Sequence, residues 1–400
     1  MTQLEPAYLY DAVRTPFAKL GGALATVRPD DLAATVVRAM VERSPQLDPA
    51  RIDEVVFGAA NQAGEDNRNV ARMATLLAGL PVSVPGSTVN RLCGSSLDAA
   101  MVASRTVETG DADLVLVGGV ESMSRAPWVV AKPERAFPAG NAEMASTTLG
   151  WRLVNPAMPA EWTASLGECN EQVADELGTT REQMDAFAAR SHQLAAAAWE
   201  DGFYADWTCA VPGVDAADLP RDETVRPGSS VESLAGLKPS FRRDGRITAG
   251  NASPLTDGAA AVLLGSAGAA EGLGREPMAR IAGRGAHALE PQRFGLAPVE
   301  AANKALARAG IGWGEVGLVE LNEAFAVQSL ACVDAWGIDP GIVNTRGGAI
   351  AIGHPLGASG ARILGTLAAA MRADGVRWGV AAICIGVGQA LAVVLENEGA

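Results

Sequence analysis

Five cysteines and three histidines are all that this 400-residue chain offers for nucleophilic or proton-transfer chemistry, and three of those eight side chains stand where chemistry is feasible. Cys93 lies in Thr88-Val89-Asn90-Arg91-Leu92-Cys93-Gly94-Ser95-Ser96, where a short apolar run gives way to a helical pattern. A thiol at a helix N-terminus meets free backbone N–H groups and the positive end of the helix dipole, which favour the nucleophilic thiolate. His354 stands among Gly347, Gly348, Gly353, Gly357 and Gly360, just before another helical pattern. Glycines let backbone approach a ligand closely, Pro355 fixes the turn, and imidazole suits proton transfer near neutral pH. Cys384 closes an apolar run and enters Gly386-Val387-Gly388, a turn that can aim a backbone N–H at an oxyanion. Most lone cysteines are inert core residues, and on these residues alone that reading stays open for Cys93 and is the favoured one for Cys384, although their turn settings distinguish both from Cys169, Cys209 and Cys332. His192 and His287 have no such setting and read as solvated bystanders. Asn322-Glu323-Ala324-Phe325, taken alone, reads as a helix cap with an acid in the first turn.

These residues need a scaffold, and the hydrophobic pattern supplies one. Short apolar runs alternate with amphipathic stretches, which is the grammar of βαβ units around a mostly parallel sheet. Strands are expected at residues 7–13, 54–57, 87–92 and 113–118, with helices at 30–42, 69–77 and 95–109. The pattern recurs later: strands at 279–283, 316–320, 379–385 and 390–396, a strand-like 342–344, and helices at 299–309, 325–336 and 358–372. Two similar halves imply a duplicated α/β unit. Between them, residues 122–247 carry many prolines, most of the tryptophans and one long helical run at 181–201. So long an excursion in a compact protein is usually functional, and it reads as a lid or substrate-binding domain. The expected division is an N-terminal half at 1–121 completed by roughly 248–275, an inserted domain at 122–247 and a C-terminal half at 276–400.

Composition removes other classes. Hydrophobic residues at 48% and charged residues at 20% describe a globular chain, and 45 glycines imply many close backbone approaches. A net charge of −14 argues against nucleic acid and anionic membrane as partners, while leaving room for a local basic patch. Without a C-x-x-C or a Cys/His cluster, no metal is expected; widely spaced cysteines suit a reducing compartment rather than a disulfide framework. The beginning of the chain lacks a basic-then-apolar leader, and Gly379 to Leu395 reads as two strands around a turn rather than a membrane span, so a cytoplasmic location is expected.

Taken together, the motifs resemble the thiolase family over nearly the whole chain. Val13-Arg14-Thr15-Pro16-Phe17, Asn90-Arg91-Leu92-Cys93-Gly94-Ser95, Gly118-Gly119-Val120-Glu121-Ser122-Met123, Thr248-Ala249-Gly250-Asn251-Ala252-Ser253, Asn322-Glu323-Ala324-Phe325, Gly353-His354-Pro355 and Cys384-Ile385-Gly386 occur in family order. Each is weak alone; the ordered set is specific. The resemblance implies two βαβαβαββ halves in a layered α/β/α/β/α arrangement with an inserted loop domain, acting on coenzyme A thioesters. It implies an acyltransferase with no permanently bound cofactor, coenzyme A as co-substrate, and a homodimer or homotetramer. By motif, Cys93 would accept the acyl group, His354 would take its proton and later activate the coenzyme A thiol, and Cys384 would be the second acid/base. Oxyanion sites would be His354 with a water held by Asn322, and the N–H groups of Cys93 and Gly386. Ser253 would lie beside the pantetheine arm, Phe325 along it, Arg226 near the adenosine phosphate, and Leu166 in the pocket loop.

Several positions depart from the common family pattern: Leu166 where Met is frequent, Pro254 after Ser253, Phe294 for a frequent Met, and Val387 and Ala390 for glycines. They leave the chemical trio intact and bear on the acyl pocket. The stretch Thr148-Leu149-Gly150-Trp151-Arg152-Leu153-Val154-Asn155-Pro156 resembles the degradative 3-oxoadipyl-CoA branch of the family. The implied reaction is thiolytic cleavage of 3-oxoacyl-CoA through an acyl-cysteine. The alternatives are biosynthetic formation of acetoacetyl-CoA, a non-catalytic acyl-CoA-binding relative, and a decarboxylating condensing enzyme, which would be expected to carry His or Asn in place of Cys384.

Overall fold

A computed structural model describes residues 4–400. The first half runs β1 (Tyr8–Arg14), β2 (Ala18–Lys19), α1 (Pro29–Glu42), β3 (Glu54–Gly58), α2 (Val70–Leu77), β4 (Gly86–Val89), α3 (Ser95–Thr109) and β5 (Leu114–Ser122). An excursion follows with β6 (Trp128–Val130), β7 (Met144–Ser146), α4 (Leu166–Leu177), α5 (Arg181–Glu200) and α6 (Val231–Ala235). Next come β8 (Thr256–Gly265), α7 (Ala269–Leu273), β9 (Ala279–Ala288), α8 (Ala297–Ala309), β10 (Leu318–Leu321) and α9 (Ala326–Trp336). The chain finishes with α10 (Ala349–Ile352), α11 (Ser359–Asp374), β11 (Trp378–Ile385) and β12 (Gln389–Glu396). Helix ends follow local rules. Asn69 caps α2 through its side chain, Thr180 and Gln183 form a reciprocal capping box on α5, and Gly110 ends α3 in the left-handed region.

Ten strands form one mixed sheet in the order β10-β11-β12-β9-β1-β8-β5-β3-β4, with β2 on β8, and β6 and β7 form a separate two-stranded sheet. Each half repeats one pattern. β3 lies parallel to β4 and β5, and β8 and β1 continue antiparallel. Correspondingly, β10 lies parallel to β11, and β12 and β9 continue antiparallel. The halves join where β1 meets β9, at Tyr8–Arg280 and Leu9–Ala279. The strand expected at 342–344 is reduced to one parallel bridge, Val319–Val343, after a single turn at Pro340–Ile342. It occupies the place that β4 fills in the first half.

Burial resolves the layers. Leu97, Ala100 and Val107 of α3 pack with Ile363, Leu364 and Leu367 of α11 against inner faces supplied by Val115, Val117, Val262, Ile383 and Val393. Outside, α1 and α2 cover the first half (Leu32, Val36, Met40, Val70), and α8 and α9 cover the second (Ala301, Ala305, Cys332, Trp336). This is the α/β/α/β/α layering, with the two helix N-termini that carry chemistry placed in the middle layer. The excursion is tied to the sheet by a fully buried ion pair. Arg14 Nη1 and Nη2 bind the Asp222 carboxylate at 2.6 and 2.8 Å, inside a ring of Phe17, Trp199, Tyr204 and Trp207. Among the described residues no helix is long and apolar enough to cross a membrane, and no His/Cys/Asp/Glu group could hold a metal ion.

Candidate active site

Between β4 and α3 the chain makes a single turn, Leu92–Gly94, that presents Cys93. Leu92 holds a left-handed φ of 48°, an uncommon conformation for a side-chain-bearing residue that must be held by its surroundings. Asn90 Oδ1 accepts from Leu92 N at 3.0 Å, and Ser95 Oγ accepts from Arg91 N at 2.9 Å, which fixes the turn. Gly94 is required on the other side: a Cβ there would stand 2.4 Å from Ile385 Cδ1 at the end of β11. Cys93 is thereby buried beside the β11–β12 turn, and the N–H groups of Gly386 and of Cys93 itself favour its thiolate. They do not win. Burial pushes the thiol up to about 11: desolvation exceeds the helix-end effect that favours the thiolate, and Cys93 keeps its proton at rest.

His354 enters from the other half. Gly353 adopts φ +109° and ψ 166°, a conformation open to glycine alone, and swings His354 inward. The His354 N–H donates to Thr256 Oγ1 at 2.8 Å, and Nδ1 lies 2.6 Å from Ser359 Oγ. Ser359 Oγ donates to the Pro355 carbonyl at 2.9 Å and so accepts from Nδ1–H, which leaves the Nε2 lone pair free as a base. Burial, aided by the nearby Arg362 cation, lowers His354 to about 3. Thiol and imidazole are therefore both neutral at rest.

Asn322 follows β10 directly and is fully buried. Its Oδ1 accepts from Arg362 Nη2 at 3.2 Å, which turns Nδ2 toward His354, 3.4 Å from each ring nitrogen. The next residue overturns the helix-cap reading. Glu323 is fully buried and accepts from Ser191 Oγ, Asn344 Nδ2 and Ile350 N, and α9 begins only after Phe325. Cys384 is the penultimate residue of β11, held well above the usual thiol range first by burial and then by the nearness of Cys93. Two neutral thiols, Cys93 and Cys384, thus lie near one another with the Gly386 N–H on Cys93, and the neutral His354 stands beside Asn322. Such a set can accept an acyl group on one sulfur and deliver a proton from the other.

A cavity of about 330 Å³ opens onto Cys93. Of the sequence-expected residues, Cys93, Gly386 and Leu166 line it; Asn61, Glu121, Met123, Thr147, Thr148, Trp151 and Arg152 complete much of its wall. Ser253 and Phe325 lie together instead, Ser253 N and Oγ both donating to the Ala324 carbonyl and Ala252 bridging Phe325. Phe325 meets the exposed Phe241 edge-on at 6.1 Å, and it shares a core with Cys384 on which Leu166 packs. Arg226 is exposed, and its backbone N–H donates to His192 Nδ1 at 3.3 Å. The bystander reading of His192 is corrected: it is buried on α5 and lowered to about 4 by burial and the Arg226 charge. Phe241 escaped the sequence reading; its signal was Gly167, where a Cβ would fall 2.1 Å from the Phe241 ring.

Comparison with known proteins accords with this geometry. Residues 7–268 match the thiolase N-terminal domain and residues 275–397 the thiolase C-terminal domain. The 3-oxoadipyl-CoA/3-oxo-5,6-dehydrosuberyl-CoA thiolase of Escherichia coli (strain K12) is 48% identical over 402 residues, 98% of this chain and 100% of that one. The beta-ketoadipyl-CoA thiolase of Pseudomonas putida is 46% identical over 400 residues, 98% of this chain and 100% of that one. Among solved structures, human mitochondrial 3-ketoacyl-CoA thiolase in complex with CoA superposes with a TM-score of 0.92 at 33% identity, covering 99% of each chain. With both halves matched by the family's two domains and with relatives 46–48% identical over nearly the whole chain, the chain belongs to the thiolase family, a family of acyltransferases.

Proposed function

We propose that the chain cleaves dicarboxylic 3-oxoacyl-CoA thioesters, 3-oxoadipyl-CoA foremost, by thiolysis in the cytoplasm, as a homodimer or homotetramer. Cys93 attacks the C3 carbonyl carbon while its proton moves to His354 Nε2. The tetrahedral oxyanion meets the N–H groups of Cys93 and Gly386. The C2–C3 bond then breaks, leaving the acyl group on Cys93 and the electron pair as the acetyl-CoA enolate. His354 and a water held by Asn322 stabilise the enolate oxygen, and Cys384 gives its proton to the enolate carbon. Proton return from His354 to Cys384 restores both groups. In the second half, His354 takes the proton of a coenzyme A thiol, the sulfur attacks the acyl-cysteine, and the proton returns to Cys93 as acyl-CoA leaves. Preorganised donors for each developing oxyanion are what such a sequence requires, each supplying about 10²–10³ in rate.

The observation that supports this reading is Cys93 on the cavity wall, with the Gly386 N–H on its sulfur and Cys384 close by. The similarity of the chain to beta-ketoadipyl-CoA thiolases supports the choice of acyl group. Residues 122–247 serve as the substrate-binding domain, with Ser253 and Phe325 along the pantetheine arm, Leu166 at the acyl pocket and Arg226 at the phosphate end. Coenzyme A enters as co-substrate. The test compares kcat/KM for acetoacetyl-, 3-oxohexanoyl- and 3-oxoadipyl-CoA. The reading expects 3-oxoadipyl-CoA to lead; leadership by acetoacetyl-CoA would favour the biosynthetic alternative.

A further inference from the structure

The wall of the Cys93 cavity is almost devoid of charge. Among its described lining residues Arg152 is the only basic one and Glu121 the only acidic one. Glu121 is not available to a ligand. It is buried, and its two oxygens accept from Ala60 N at 2.9 Å, Asn61 N at 3.0 Å and Gly357 N at 2.9 Å. Arg152 is the opposite case. It is exposed, and among the described residues it has no ion-pair partner, whereas Arg125 and Arg181 of the same excursion are held by Glu65 and Asp185.

Local chain geometry brings Arg152 to the wall. Thr147 is fixed by Asn61 Nδ2 at 2.8 Å and by its own hydroxyl on the Pro127 carbonyl at 2.7 Å. Gly150, with φ +79°, then turns the chain so that Leu149, Trp151 and Arg152 follow Thr148 along one side of the cavity. This segment lies within the stretch singled out in the sequence as branch-specific. Much of the rest of the wall is apolar, with Leu92, Met123, Ala126, Leu166 and Leu356, and its polar side chains, Asn61, Ser122 and Thr147, are uncharged. An acyl chain seated on Cys93 would run along apolar carbon and end near a single unpaired guanidinium.

We propose that Arg152 selects the substrate by binding the terminal carboxylate of a dicarboxylic acyl chain, with the Thr148 hydroxyl as a neighbouring donor. This rests on the dicarboxylic reading above and names the residue that would enforce it. A guanidinium fork matches a carboxylate in shape and charge, and a site built to bind such a group discriminates against an analogue lacking it. An uncharged acyl chain of equal length would leave Arg152 in water and gain nothing from it.

The experiment measures kcat/KM for thiolysis of 3-oxoadipyl-CoA and of 3-oxohexanoyl-CoA, which has the same number of acyl carbons and no terminal carboxylate, in wild type, Arg152→Gln and Arg152→Lys. Arg152→Gln is expected to lower the 3-oxoadipyl value about 10- to 100-fold and the 3-oxohexanoyl value less than about threefold, with Arg152→Lys in between. The activity on 3-oxohexanoyl-CoA also reports that each variant is folded. Equal losses on both substrates would assign Arg152 to coenzyme A binding or structure and overturn the proposal. An unchanged preference in Arg152→Gln would overturn it as well. A wild type that does not favour 3-oxoadipyl-CoA would instead remove the dicarboxylic reading itself, and this proposal with it.

Discussion

Gly353→Ala probes the placement of His354 more sharply than substitution of the histidine. A Cβ at residue 353 would stand 2.6 Å from Thr256 Cγ2 and 3.0 Å from Thr256 Oγ1, the oxygen that accepts from the His354 N–H at 2.8 Å. The backbone at Gly353, with φ +109°, is also closed to alanine. Backbone strain of about 1–3 kcal/mol and overpacking of about 1–3 kcal/mol together give a loss of about 2–6 kcal/mol in stability. If the chain relieves the strain by moving His354 by about 1 Å, the proton-transfer geometry is lost, and kcat falls about 10²-fold. Steady-state thiolysis and a urea titration of the same preparation measure the two effects separately. Thr256→Ser in the Gly353→Ala background removes Cγ2 and keeps the hydroxyl. That double variant should regain part of the stability and little of kcat, because the φ conflict remains. A Gly353→Ala enzyme within threefold of wild type in kcat and with an unchanged urea midpoint would refute the reasoning.

Three further outcomes follow from the same geometry. Arg14→Met leaves Asp222 buried without its cation and should cost about 3–5 kcal/mol in urea unfolding, with kcat of the folded fraction little changed. Arg226→Glu should raise KM for coenzyme A thioesters far more than it lowers kcat, and the opposite split would remove Arg226 from phosphate binding. For pH, His354 and His192 are lowered to about 3 and about 4 in the fold against an ordinary 6.5. The unfolded chain then binds protons that the folded chain does not, so their contribution is full above pH 6.5 and is lost as pH falls toward 4. The buried carboxyls of Glu121 and Glu320, raised to about 7 and about 8, act in the opposite sense over the same window. The histidine contribution is therefore read as the difference between wild type and His192→Gln in chemical denaturation, and kcat/KM should show no break near 6.5 from His354.

The duplicated architecture was legible because it is written in local signals. α3 begins and ends where its pattern says, at Ser95 and Thr109, and the paired runs before Ile385 and after Gly388 form β11 and β12. β8 was harder. Gly258 and Ala259–Ala261 are poor strand formers, and that segment is a strand because β1 and β5 clamp it from both sides. Residues 342–344 failed in reverse, since an apolar run found a partner only at Val343. At the site, glycine density singled out His354 and Cys384 in the sequence, whereas the neutral state of Cys93 followed from burial that no short motif encodes. Glu323 and His192 looked like surface groups because their partners Ser191, Asn344 and the Arg226 N–H are distant in sequence. The cavity wall at Thr148–Arg152 has no periodicity at all, and it follows a turn at Gly150 to line the same cavity as Leu166.

Covalent capture of the acyl group tests the central claim most directly. Wild-type enzyme incubated with acetyl-CoA and read by intact mass and peptide mapping should carry one acetyl group on Cys93, removable by added coenzyme A. Cys93→Ser should carry none on the same timescale. A wild-type chain with no adduct, or with the acetyl group on Cys384, would contradict the assignment of Cys93 as the nucleophile.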